Sequence, residues 1–142
     1  MTDNFETLLK KTKDNATVIP CGNPWYYYLY TEEKTVEGRK KSITYEHIKE
    51  DDIVLFKLSG DVDNEKYKDI PTSFYARVIG VNKYSTLRQY LETEGVHKCL
   101  PGKTTIYEGV NVYTSLMKTT EEEINKIGFM GIHVKKINEY LD

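Results

Sequence analysis

Thr31-Glu32-Glu33-Lys34-Thr35-Val36-Glu37-Gly38-Arg39-Lys40 is the stretch from which the rest of this chain can be read. A strand is expected over Thr35 to Lys40, where β-branched residues lead a short run that alternates in character. Successive side chains of a strand point to opposite faces, which puts Lys34, Val36 and Gly38 on one side and Thr35, Glu37 and Arg39 on the other. Lys34 is thereby separated from Glu37 and Arg39. To join them it must lie ahead of the strand, where the chain turns in and leaves the period of two. If the three converge, Arg39 offers a planar fork for a phosphate or a base edge, and Lys34 a compact charge. Glu37 then supplies an acceptor for an exocyclic amine or a hydroxyl.

Working outward, Ile53 to Leu58 and Phe74 to Val81 are rich in β-branched and aromatic residues and read as strands. Between them lies a polar stretch with Gly60 and Pro71, which reads as a long mobile hairpin loop. A further strand is expected at Phe129 to Val134. Thr86 can cap a helix with Leu87, Tyr90 and Leu91 on one face. Thr105 with Glu108 forms a capping-box pattern ahead of Ile106, Val110, Tyr113 and Met117, and Thr120 with Glu123 repeats the device before Gly128 ends the last helix. Asn23-Pro24 suits an N-cap followed by Pro at the first helical position, so the aromatic run Trp25 to Tyr30 reads as a helix. A short N-terminal helix is expected from Thr2, with Phe5, Leu8 and Leu9 as its apolar stripe. Residues 1–17 then form a helical extension and residues 18–142 the main domain, of α+β class with a mixed, barrel-like sheet.

Bulk composition narrows the function. The chain has 142 residues and a formal net charge of −2, which argues against coating a nucleic acid by charge alone; any such contact must be local. Cys21 and Cys99 are too few and too far apart for a disulfide framework, and His47, His97 and His133 are scattered, so neither a metal nor a cofactor is expected. With no long apolar run and no signal-peptide core, a soluble cytoplasmic protein is expected, the nucleus also being open. The 12 tyrosines fill cores as readily as they stack on bases.

The spacing of Lys34, Glu37 and Arg39 resembles the G-x-K-x-x-E-x-R signature of the ASCH domain family, a branch of the PUA-like β-barrels. Supporting similarity comes from Ile48 to Ile53, from Val81 to Arg88, from Leu100-Pro101-Gly102, from Glu108-Gly109-Val110 and from Ile127 to Val134. Two residues depart from the pattern: Glu32 stands at the signature glycine and Asp51 at the glycine of a turn. At Glu32 the backbone either loses the tight approach that glycine allows or makes it with strain at positive φ, whereas Asp51 is the milder change because Asp tolerates turn conformations. The resemblance implies a small PUA-like mixed barrel with helices around it. It also implies binding of RNA or a modified nucleotide in a cleft formed by Lys34, Glu37 and Arg39. Lys83 and Arg88 are expected nearby as added positive charge and Tyr84 as a stacking face.

Some relatives hydrolyse acetylated cytidine nucleosides or cleave RNA, which makes a small hydrolase the alternative. Lys34 matches the catalytic lysine of the first group, but the nucleophilic threonine corresponds to Glu37 here. In RNA cleavage Glu37 would act as general base beside Lys34 or Arg39. A third reading is a protein-interaction module in a transcription or translation complex, which would require an exposed Trp25 to Tyr30 segment.

Overall fold

Five strands, β1 (Thr17–Cys21), β2 (Val36–Lys40), β3 (Ile53–Leu58), β4 (Ser73–Tyr84) and β5 (Phe129–Lys136), form one mixed sheet. The computed structural model describes residues 15–60 and 65–137. The expected helix at residues 2–13 lies outside them, and Thr17, placed at the end of that extension, is the first residue of β1. Strand order is β1-β3-β4-β5-β2, with β1 parallel to β3 and every other pair antiparallel. The architecture is a curled half-barrel of α+β class.

β1 is the strand that sequence reading misses. Its five residues include Pro20, which cannot donate a ladder hydrogen bond and is tolerated because β1 is an edge, paired only with β3. The 53–58 and 74–81 strands and their hairpin are present, β4 running three residues further at its C-terminal end.

Two apolar clusters sit on the two faces of the sheet. Ile19, Val54, Phe56, Met130 and Ile132 fill one, closed by Tyr26 and Leu29 of α1 (Trp25–Thr31). Val36 and Phe129 face the other, covered by α2 (Leu87–Glu94), α3 (Val96–Cys99), α4 (Ile106–Met117) and α5 (Glu121–Ile127). Period-two alternation along β5 sends Met130 and Ile132 to the first cluster and Phe129 to the second.

Caps fall where the sequence places them, with two corrections. Thr86 accepts from the Gln89 N–H, and Thr105 with Glu108 completes a reciprocal box. Thr120 accepts from the Glu123 N–H, but the return half is missing, because Glu123 turns to Lys126 at 3.2 Å. At α1, Pro24 occupies the cap position rather than the first helical one, and Asn23 Oδ1 instead accepts from the Tyr27 N–H at 3.1 Å.

Both departures from the signature glycines adopt the left-handed region, Glu32 at φ 68° and Asp51 at φ 74°. Glu32 is partly compensated, since its carboxylate accepts from the Lys136 N–H at 3.1 Å. The Asp51 N–H donates to Val78 O at 2.7 Å, but its carboxylate meets an exposed Arg77 at 3.8 Å, an interaction worth little. Asp51→Gly is therefore expected to raise the unfolding free energy by about 0.5–1 kcal/mol, as relief of left-handed strain exceeds glycine's entropy loss. A lower denaturant midpoint for the variant would show that this turn is not strained.

Candidate functional site: the seam between the sheet edges

β1 and β2 are the two ends of the strand order, so no backbone ladder joins them. The Arg39 side chain joins them instead, its Nη2 donating to the Pro20 carbonyl at 2.5 Å. A cleft of about 260 Å3 opens along this seam, with Pro20, Cys21 and Gly22 on one side and Glu37, Gly38 and Arg39 on the other. Lys34 lies at its floor, Trp25, Leu100, Leu116 and Met117 give it an apolar wall, and Ser59 and Tyr113 also line it.

Lys34 meets the geometric demand set by the sequence. It precedes β2, with its backbone N–H donating to Tyr28 O at 3.0 Å, and so escapes the strand alternation. Its Nζ lies 3.3 Å from Glu37 Oε1 and also donates to Val36 O at 2.6 Å and to Cys99 O. Those three acceptors match the three protons of an ammonium. Lys34 thus ties the start of β2 to the end of α3 and points its charge at Glu37.

Arg39 approaches Glu37 from the other side, with Nη2 at 2.8 Å and Nε at 3.3 Å from Oε2. Only 4% of Glu37 is exposed. Burial by itself would raise its pKa; Arg39 and then Lys34 outweigh that and hold the carboxyl below the usual carboxylate range. Two cations around one anion leave the cleft with a local charge of one positive unit. The guanidinium also lies over the Tyr45 ring, 5.5 Å from its centroid.

The cleft's thiol and its phenol are held protonated. Burial, followed by the nearby Glu37 charge, pushes the Cys21 thiol well up, and burial raises Tyr113 likewise. Lys34 has no proton to spare, and Glu37 as a stabilised anion is a weak base. Among the described residues no group of three or more His, Cys, Asp or Glu side chains could hold a metal.

The other expected ligand residues lie elsewhere. Arg88 is exposed and pairs with Glu121 at 2.7 Å across α2 and α5. Lys83 and Tyr84 line a second cavity at the end of β4. Tyr84 is only half-buried, and its hydroxyl donates to Glu94 at 2.7 Å, which fixes its ring in a partly buried polar knot. Asn82 and His133 complete that knot on the same carboxylate. Sequence reasoning left out Trp25 as a wall of the seam, and Leu116 and Met117 from the end of α4. Helical spacing marks Met117 as a face residue; nothing in it shows that the face ends over β2.

Trp25, Tyr27, Tyr28 and Tyr30 are half-buried rather than displayed, each ring leaning on an aromatic neighbour. No helix among the described residues is long and apolar enough to cross a membrane.

No protein-family model and no curated protein matches the chain. Solved structures do. The crystal structure of the hypothetical protein PH0355 is 27% identical over 84% of this chain and 97% of its own, with a TM-score of 0.67. The solution structure of protein PF0455 from Pyrococcus furiosus is 25% identical over 85% of this chain and 98% of its own, with a TM-score of 0.59. The crystal structure of ASCH from Zymomonas mobilis is 12% identical over 87% of this chain and 73% of its own, with a TM-score of 0.55. With its curled five-stranded sheet and its flanking helices, this chain has the fold of these structures, the ASCH of Zymomonas mobilis among them.

Proposed function

We propose that the seam cleft binds one base of a single-stranded RNA or of a modified nucleotide, with Glu37 and Arg39 reading its polar edge and Trp25 covering its face. The observation that carries this reading is the buried Glu37 anion, held between Lys34 and Arg39 in a cleft whose remaining walls include Trp25, Leu100, Leu116 and Met117. A buried ion pair adds little net stability, since desolvation offsets most of its attraction, so its presence in a cavity is better accounted for by recognition. At about 260 Å3 the cleft is smaller than most drug-sized pockets, and it suits a base or nucleoside rather than a duplex. Its division into apolar wall and charged floor matches a flat ring with hydrogen-bonding edges. The fold of an ASCH domain points the same way.

Titration calorimetry with a nucleoside panel and with short single-stranded RNAs tests the reading. Arg39→Ala is expected to weaken the best ligand at least tenfold, by removing a charge-assisted donor. Trp25→Ala should cost about 1–3 kcal/mol, the usual worth of one base stacked on an aromatic. Unchanged affinity in Arg39→Ala would sink the proposal.

A further inference from the structure

The second cavity, of about 300 Å3, is lined by Lys41, Lys83 and Lys126 with Tyr84, and no Asp or Glu lines it. We infer that it is a phosphate subsite, holding the backbone of the single-stranded RNA whose base enters the seam cleft. The inference rests on the proposed function above and extends it from a base to an oligonucleotide.

Charge is the first support. In a chain of net charge −2, three lysines around one concavity are a local reversal of sign. Their competing partners are weak. Among the described residues Lys83 reaches the Glu46 carbonyl, at 3.4 Å, and Lys126 meets the exposed Glu123 at 3.2 Å. The Gly128 carbonyl, which would oppose an anion, is already taken by the Lys41 N–H at 2.9 Å.

Position relative to the cleft is the second. In the sheet, Arg39 pairs with Met130 and Met130 with Lys83, so Lys83 lies two strands from Arg39 with the fully buried Met130 between them. The surface route from one to the other runs past the exposed Lys41 at the end of β2. Two strand spacings separate Arg39 from Lys83, roughly 10 Å. Lys41 follows Arg39 by two residues, about 7 Å along an extended chain. A strand of RNA leaving the cleft past Arg39 therefore meets Lys41 and Lys83 within a nucleotide or two. Point charges on flexible stems, rather than planar forks, suit a backbone held without regard to sequence.

The test compares a nucleoside with a short single-stranded RNA carrying the same base, in wild type and in the Lys41→Ala/Lys83→Ala double variant. Both lysines are exposed, so the variant is expected to fold normally. Wild type should bind the RNA at least tenfold tighter than the nucleoside. The double variant should remove most of that gap, leave nucleoside affinity unchanged, and lower the slope of log affinity on log salt by about 0.7 per lysine. An RNA no tighter than its nucleoside, or a gap and slope indifferent to the two substitutions, overturns the subsite and leaves the cleft reading standing. RNA binding that depends on the two lysines without any nucleoside binding sinks the cleft reading and, with it, a subsite that serves the cleft. Absence of binding by either probe sinks both.

Discussion

Glu37→Gln is expected to lower the unfolding free energy by about 3–5 kcal/mol, the usual loss when one partner of a buried ion pair is removed. The shape of the side chain is preserved, so the loss is electrostatic. Lys34, 2% exposed, keeps its two carbonyl acceptors but loses its counter-ion, and Arg39 is left facing it without an anion between them. Base binding should fall with stability, because Arg39 loses the group that orients it. Replacing both residues by apolar ones, Lys34→Met with Glu37→Leu, removes the uncompensated charge and should recover part of the stability. Recovery stays partial because Val36 O and Cys99 O lose a donor. A Glu37→Gln variant as stable as wild type in denaturant unfolding would show that the pair is not coupled.

The same substitution has a pH signature. The folded-state pKa of Glu37 lies below its ordinary value of 4.5, so its contribution is fully present above that value and is lost as pH falls through the depressed one. The stability difference between wild type and Glu37→Gln should therefore shrink as pH drops below about 4.5. Both proteins still lose stability in acid, because burial of Glu94 is outweighed by Asn82, Tyr84 and His133, which lower its pKa as well.

Gly38→Ala is expected to cost about 3 kcal/mol or more, through overpacking. A Cβ there would come within 2.6 Å of Tyr90 Oη, 2.7 Å of Phe129 Cε2 and 2.8 Å of Tyr113 Oη. None of these rings can yield: Tyr90 and Phe129 are fully buried and Tyr113 nearly so, and the two tyrosine hydroxyls bond each other at 2.8 Å. Relief would require β2 to lift from α2 and α4, carrying Glu37 and Arg39 with it, so cleft affinity falls too. Gly80 is the control, since nothing lies within 4 Å of its Cβ position. Gly80→Ala should stay within about 0.5 kcal/mol of wild type. Equal thermal midpoints for the two variants would refute the packing argument.

Local rules carried the sequence reading a long way. β-branched and aromatic runs marked four of the five strands, threonines at 86, 105 and 120 marked three helix starts, and the departure from glycine at Glu32 marked a positive-φ residue. Each of these depends on neighbours within about four residues, which is the range over which propensity, capping and backbone sterics act. The meeting of Lys34, Glu37 and Arg39 also lay within that range, once Lys34 was placed ahead of the strand.

The tertiary structure decided what that local reading could not reach. In β1, Thr17-Val18-Ile19 carry a β-branched signal of their own, but the fold decides that this segment lies parallel to β3 at the sheet's edge. Its carbonyl at Pro20 then becomes Arg39's partner across 19 residues of sequence. Lys83, Tyr84 and Arg88 are close to one another in the chain, yet the end of β4 and the turn into α2 send them to a second cavity, a partly buried knot and a surface ion pair. The seam exists because curvature and register bring the two ends of the strand order opposite each other. Both are properties of the whole sheet, which no single segment encodes.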